Sequence, residues 1–203
     1  MKIWISSKRI GVDLDDVLFD FIGELAKFHN KNWGTSFSKR DFESYYFCRL
    51  FNCTQEEAEN RVRAFLDSDE FKNLSPIDGA VDGINRLVKE NNSIFVVTAR
   101  HERLFDITKM QIKMHFRTIE NAPCYFGKNV YTGHGTDTKI DLCRKLKLHY
   151  LIEDSPEYTR ECSEYAPVLL MRQPWNVEIQ PERRIFVVNG WRDVNYMPSK
   201  KKF

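Results

Sequence analysis

Seven residues in four places carry side chains able to handle a phosphate: Asp13, Asp15 and Asp16; Thr98; Lys139; and Glu153 with Asp154. Carboxylates gathered at one point repel, and one of them takes up a proton unless a cation offsets them. Asp13 and Asp154 offer hard oxygen ligands only, which suits Mg²⁺ better than zinc. A divalent cation there attracts phosphate oxygens and spreads the charge that develops on them. Thr98 adds a hydroxyl donor, and Lys139 an ammonium that balances phosphate charge. Asp13 is then placed as a nucleophile on phosphorus, giving an aspartyl-phosphate. Asp15, two residues on, is placed to protonate the leaving oxygen and then to deprotonate the water that hydrolyses the intermediate. Each signal alone is weak, because Asp is common at turns and helix caps. Their joint order along the chain is what carries weight.

These residues act together only if the chain converges on them. Arg9–Leu14 reads as a strand that ends in the acid cluster. The spacing of Val17, Leu18, Phe21, Ile22, Leu25 and Phe28 predicts a helix that Gly34 ends. Ser38 with Asp41, and Thr54 with Glu57, are helix starts, the second a capping-box pair. Residues 24–76 read as mostly helix, with no strand pattern. After Pro76 the texture changes. Helical faces at 80–88, 101–116 and 137–146 alternate with apolar strands at 93–98, 123–126 and 149–152. Ser155-Pro156-Glu157 opens a further helix, and strands follow at 168–171 and 185–188. Continuous apolar strands alternating with amphipathic helices imply an α/β fold with a parallel sheet covered on both faces. In such sheets ligands sit outside the carboxyl ends of the strands. Asp13 and Asp15, Thr98, and Glu153-Asp154 each follow a different strand, so three polar clusters converge on one crevice.

The 203 residues carry 31 Lys and Arg against 29 Asp and Glu, a net charge of +2, which argues against dominant nucleic-acid or membrane binding. No apolar run reaches the roughly 18 residues needed to span a bilayer, and Met1 to Ser7 lacks a signal-peptide pattern. Five cysteines without a C-x-x-C pair favour free thiols, and with them a cytoplasmic setting. The five histidines show no metal spacing, and His101 is expected at the surface. The basic tail, 196–203, is expected to be mobile.

The order of these residues resembles the haloacid dehalogenase-like hydrolase superfamily. Ile10-Gly11-Val12-Asp13-Leu14-Asp15-Asp16-Val17-Leu18 resembles its first motif, Phe95-Val96-Val97-Thr98 its second, Lys139 in Thr138–Cys143 its third, and Leu151–Glu157 its fourth. The resemblance implies a Rossmann-like three-layer parallel sheet core at 8–23 and 77–195, with a small helical cap inserted at 24–76. It implies Asp13 as nucleophile, Asp15 as acid/base, Thr98 and Ala99 with Lys139 on phosphate, and Mg²⁺ on Asp13, Asp154 and the backbone carbonyl of Asp15. Lys128, after Gly127, is a rival to Lys139; Lys139 is preferred because its helix directly precedes the strand of Glu153 and Asp154. The sequence is similar in particular to the 5'(3')-deoxyribonucleotidase-like branch, on Asp13-x-Asp15-x-Val17-Leu18-x-Asp20-Phe21, Val97-Thr98-Ala99-Arg100, Ile152–Pro156 and Pro174-Trp175-Asn176. There the residue matching Phe21 packs against the nucleobase, and Arg100 is expected on the substrate. Asp16 departs from the Gly that many members have.

Ten of the chain's 27 aromatic residues fall within 28–71. A small helical insert needs large side chains to make any core, which accounts for most of them. Phe42, Tyr45 and Tyr46 recur at helical spacing beside Phe47, and Tyr45 or Tyr46 is expected to touch substrate. The reading is therefore a Mg²⁺-dependent phosphomonoesterase acting on a nucleoside monophosphate, with a homodimer allowed. The alternatives are a phosphatase for another small phosphoester or a nucleic-acid end, or a non-catalytic binding protein of the same fold.

Overall fold

The computed structural model describes residues 7–130 and 132–195; the basic tail lies outside them. Strand β1 (Arg9–Val12) leads through a tight loop into helix α1 (Phe21–Trp33). Helices α2 (Phe47–Leu50), α3 (Gln55–Leu66) and α4 (Asp69–Lys72) follow. Then come α5 (Ala80–Lys89), β2 (Ser93–Thr98), α6 (Phe105–His115), β3 (Cys124–Phe126), α7 (Lys139–Lys145), β4 (Tyr150–Glu153), α8 (Pro156–Ser163), β5 (Val168–Met171) and β6 (Ile185–Val188). The six strands form one parallel sheet in the order β3-β2-β1-β4-β5-β6.

Alternation along the strands divides the interior in two. Ile10 and Val12, Ile94 and Val96, Tyr150 and Ile152, and Leu169 and Met171 face the side of α5 and α6. Phe95 and Val97, Leu151 and Val168 face α7 and α8, where Leu142, Cys143 and Cys162 meet them. Gly11 lies on this second side, where a Cβ would stand 2.5 Å from Leu148 Cδ1 and 3.0 Å from Leu151 Cδ1, so any larger residue would have to displace these side chains. The central strands β1, β2, β4 and β5 are buried on both faces, as their unbroken apolar runs require, while the edge strands β3 and β6 are half-buried. The three-layer α/β expectation is met.

The cap region has no separate core. Phe42, Phe51, Ala58, Phe65 and Phe71 belong to the same apolar cluster as Ile10, Val12 and Phe116. Its rings meet mostly edge-on or tilted; Phe65, for example, touches Phe21, Phe28 and Phe71 with centroids 5.3–5.7 Å apart. Helix α1 runs from Phe21 to Trp33, so the expected boundary at 23/24 falls inside a continuous helix. Gly34 ends it in the left-handed conformation, φ 66°, where a Cβ is costly.

Three local expectations are corrected. Val17 and Leu18 are not helical: Leu18 and Phe19 both donate backbone N–H groups to Leu14 O, and Asp16 takes φ 58°. Residues 101–116 are not one helix. His101 caps a 3-10 turn, Glu102–Leu104, by accepting from Arg103 N–H, and α6 starts only after it. Phe42 to Tyr46 are irregular, so their helical spacing does not mark a helix.

Candidate active site

The sheet order explains why the polar clusters meet. Strands β2, β1 and β4 are immediate neighbours, so residues at and just past their carboxyl ends share one edge. Thr98 ends β2, Asp13 follows β1, and Glu153 ends β4 with Asp154 next to it. Parallel pairing brings Val12 level with both Val96 and Ile152, and Asp13 N–H donates to Ile152 O at 3.0 Å. The nucleophile candidate is therefore fixed by backbone register.

Lys139, in the first turn of α7, reaches the same point. Thr138 caps that helix by accepting from Asp141 N–H, with the reciprocal bond that completes a capping box. The Lys139 Nζ donates to Glu153 Oε2 at 2.8 Å and lies 3.0 Å from Asp13 Oδ1. Its ammonium also stands 4.2 Å from the Tyr158 ring centroid, a cation–π contact in a desolvated place. Lys139 is fully buried while Lys128 is exposed, and Lys128 contributes only its backbone to this region.

The carboxylates of Asp13, Glu153 and Asp154 each bring an oxygen within 4.8 Å of the others. Glu153 is committed, with Oε2 on Lys139 and Oε1 accepting Ser155 N–H at 3.1 Å. Asp154 Oδ2 accepts from Tyr45 OH at 2.7 Å and from Trp175 Nε1–H at 2.9 Å, and its carbonyl accepts from Asn176 Nδ2. Asp13 Oδ1 is buried beside Lys139 without a well-aligned hydrogen bond. One ammonium among three buried carboxylates leaves negative charge uncompensated. Burial accordingly pushes the Asp13 carboxyl up to about 7, with Glu153 and Asp15 adding to the shift and Lys139 opposing it. Burial, then repulsion from Asp13 and Asp16, pushes Asp154 well above the usual carboxylate range. Burial also works against the charged form of Lys139, yet Asp13 and Glu153 outweigh it and hold its pKa well above the ordinary amine value. An orphaned carboxylate oxygen in an all-oxygen donor set of excess negative charge fits a hard divalent cation, with Asp13 and Asp154 as the side chains that would hold it.

Asp15 is held differently. Arg100 Nε and Nη2 grip its two oxygens at 2.9 and 2.6 Å, a bidentate fork. Arg100 Nη1 continues to Thr108 Oγ1 and Gln111 Oε1, and the guanidinium lies 5.0 Å from the Phe71 ring. Gln111 in turn donates to Phe71 O, so one buried network joins the strand-end crevice to the cap. The crevice opens into a cavity of about 620 Å³. Its walls include Phe21, Phe47, Ala58, Val62 and Leu66 on the cap side, and Ala99, His101, Asn129 and His134 on the core side.

The comparisons with known proteins agree with this geometry. Residues 7–202 match the family model described as "5' nucleotidase, deoxy (Pyrimidine), cytosolic type C protein". The chain belongs to this nucleotidase family. It is 25% identical over 202 residues to "Putative nucleotidase YqfW" of Bacillus subtilis (strain 168), covering 95% of each chain. It is also 25% identical over 151 residues to a "Putative nucleotidase" of Bacillus cereus, covering 73% of this chain and 77% of the relative. Among solved structures, a haloacid dehalogenase-like family hydrolase from Streptococcus pneumoniae superposes with a TM-score of 0.64 at 14% identity, over 93% of this chain and 97% of the other. A HAD family hydrolase from Deinococcus radiodurans R1, with bound phosphate and sodium, gives 0.57 at 12% over 90% and 91%. These show a shared fold. The protein is thus a nucleotidase-family enzyme on a haloacid dehalogenase-like frame.

Within this nucleotidase frame, Asp13, Asp15, Phe21, Tyr45, Thr98, Ala99, Arg100, Lys139 and Asp154 all line the one cavity. Tyr46 does not: it is 60% exposed and outside the lining. Arg100, expected on substrate, lines the cavity but is only 7% exposed, and it donates to Asp15, Thr108 and Gln111. Tyr45 reaches the cavity floor, but its hydroxyl is given to Asp154. His101, expected at the surface, is exposed and also lines the cavity mouth, 4.6 Å from His134 between centroids. Sequence reasoning noticed Pro174-Trp175-Asn176 only as part of a resemblance and gave Trp175 and Asn176 no place at Asp154. It missed Tyr158 and Gln111, and of these Gln111 carried a signal: it is a polar residue on the apolar stripe of Leu104, Ile107 and Met114.

Asp16 has a structural explanation. It sits at φ 58°, the conformation glycine adopts most readily. Its carboxylate accepts from Ile22 N–H at the start of α1, and from Lys39 Nζ at 2.7 Å. Lys39 also reaches Asp20 at 2.8 Å. An aspartate tolerates this backbone better than most residues, and here it caps a helix and ties the cap region to the core. Burial pushes its carboxyl up to about 7 against the pull of Lys39.

Proposed function

We propose that this enzyme is a Mg²⁺-dependent phosphomonoesterase that hydrolyses a deoxyribonucleoside monophosphate through an aspartyl-phosphate on Asp13. The observation that carries the reading is the buried Asp13–Lys139–Glu153–Asp154 cluster at the floor of a cavity walled by cap aromatics. When bound, Mg²⁺ on Asp13, Asp154 and the Asp15 carbonyl would supply positive charge to the phosphoryl oxygens.

The chain's own residues supply the rest. Lys139, charged and fully buried, holds phosphate and keeps Asp13 oriented. Thr98 and Ala99, at the end of β2, face the same phosphate. An Asp13 oxygen attacks phosphorus as the ester P–O bond breaks, and the departing nucleoside oxygen takes a proton from Asp15. Water then attacks the acyl-phosphate phosphorus; Asp15 takes the water's proton, and phosphate leaves with Asp13 restored. Arg100 fixes the direction of the Asp15 carboxyl group, and its fork uses one lone pair on each oxygen and leaves others facing the cavity. Phe21 and Phe47 offer faces against which a base packs. The cytosolic type named by the matching family model supports a cytoplasmic setting.

A panel of nucleoside monophosphates assayed for phosphate release with and without Mg²⁺ tests the reading. Turnover is expected only with the metal, and unequally across the panel. Equal rates on every nucleotide and on a simple aryl phosphate would refute the nucleotide assignment. Turnover by Asp13→Asn would refute the aspartyl-phosphate.

A further inference from the structure

The side chain that seats Asp154 comes from the other part of the molecule. Tyr45 lies in the irregular stretch between the 3-10 turn at Lys39–Asp41 and α2, far in sequence from the strand ends. Its hydroxyl donates to Asp154 Oδ2 at 2.7 Å, across 109 residues. Trp175 Nε1–H, from the segment after β5, donates to the same oxygen at 2.9 Å. The two rings lie 5.5 Å apart at 56°. Together they saturate Oδ2 and fix the carboxylate's rotation, so Oδ1 is the atom presented for a ligand bond. Among the described residues no hydrogen-bond donor reaches that Oδ1.

The two donors differ in what holds them. Trp175 is 4% exposed and belongs to the core side. Tyr45 keeps its place only while the cap region is seated. That seating runs through Lys39, whose ammonium bridges Asp16 and Asp20 and stands 5.7 Å from the Trp175 ring centroid. It runs also through Phe42, buried in the apolar cluster that the cap region shares with the core strands. Lifting the cap region away withdraws the phenol from Asp154 while the indole stays.

We propose that Tyr45 is a positioning residue that makes seating of the cap region and divalent-cation affinity at Asp13 and Asp154 depend on each other. The inference rests on the metal reading above and adds to it a reciprocal link. A seated cap holds Asp154 ready for the cation. A bound cation, by fixing Asp154, holds the acceptor that Tyr45 needs. Groups that orient a ligand in this way are worth about 10- to 100-fold in metal affinity.

The test uses Mn²⁺, a paramagnetic divalent probe, on the full chain and on Tyr45→Phe, which keeps the ring against Trp175 and removes only the donor. Free Mn²⁺ measured by electron paramagnetic resonance gives Kd without turnover. Tyr45→Phe is expected to bind Mn²⁺ about 10-fold more weakly at an unchanged melting temperature. Amide exchange over residues 42–50 is expected to slow when Mn²⁺ binds the unaltered chain, and to be insensitive to Mn²⁺ in the variant. A Kd within about twofold of the unaltered chain's overturns the link. If the variant folds poorly, the exchange measurement on the unaltered chain decides: no slowing over 42–50 on Mn²⁺ binding overturns the proposal. An unaltered chain that takes up no Mn²⁺ overturns the metal reading as well, so the two failures are distinguishable.

Discussion

The crevice at the strand ends and the cap region above it are held by different forces. In the crevice, Asp13, Thr98 and Glu153 are placed by backbone register of three adjacent strands, and the Asp13 and Glu153 side chains pair with Lys139 at 3.0 and 2.8 Å. In the cap region, two of the helices, α2 and α4, are only four residues long, too short to persist alone. Order there comes from tilted and edge-on ring contacts and a few polar ties to the core: Lys39 to Asp16, Tyr45 to Asp154, Gln111 to Phe71 O. The difference separates two jobs. The candidate catalytic residues sit where the backbone admits little error, and the cap-side walls of the cavity sit on short elements held by side chains.

Substitutions can break this contrast or sharpen it. The largest effect is expected from Asp13→Asn, which should cut phosphate release by at least about 10³-fold. Its melting temperature should hold or rise, because one of three crowded buried carboxylates is gone; thermal scans beside the activity assay check both. Next is Arg100→Gln, which frees Asp15 and leaves Thr108 and Gln111 without their donor. It should lower kcat about 100-fold with little change in KM. Arg100→Lys should not restore the rate, since an ammonium lacks the fork. A rise in KM alone would instead return Arg100 to the substrate.

Lys39→Met addresses the cap attachment. It strands the buried Asp16 carboxylate, and a loss of about 2 kcal/mol in urea unfolding is expected, less than for a fully enclosed pair because Lys39 keeps 24% exposure. Hydrogen exchange should quicken over the cap region and leave β1, β2 and β4 unchanged. The smallest effect is a pH dependence confined to the cap. His29 is buried, stacked on Phe51 at 4.0 Å and bonded to Thr35 and Arg61. Burial, then the Arg61 charge, pushes its pKa from 6.5 down to about 4. The unfolded chain therefore takes up a proton first as pH falls, and stability is lost between about 6.5 and 4. His29→Gln should flatten that part of a melting-temperature profile and leave the profile above pH 7 unaltered.

The strand-end residues were legible because each follows an unbroken apolar run, and a parallel sheet collects such ends on one edge. Lys139 could be preferred over Lys128 on a different ground, that its helix directly precedes the strand of Glu153 and Asp154. What escaped were partners joined across the fold. Nothing local ties Lys39 to Asp16, Tyr45 to Asp154 or Trp191 Nε1 to Val17 O, the last across 174 residues. Val17 and Leu18 misled because their apolar spacing continues that of α1, whereas Asp16 turns the chain and Leu18 O accepts from Ile77 N–H across the neck of the cap region. Phe42, Tyr45 and Tyr46 share a spacing without sharing a helix, and so part company: one buried, one on Asp154, one in solvent.

The strand order also bears on how the chain is assembled during synthesis. β1 lies in the middle of the sheet, yet it precedes both neighbours in the chain; contacts at its start span 84 residues on the β2 side and 140 on the β4 side. A nascent β1 therefore waits with both edges open while the aromatic-rich stretch after it is already emerging, and such exposed edges invite association with other chains. The strand of the candidate nucleophile is made before its partners, and its surroundings close only once Tyr150–Glu153 has emerged. A ribosome-bound chain halted ahead of that strand would hold Asp13 and Asp15 without Glu153 and Asp154, and so without the full set of buried carboxylates.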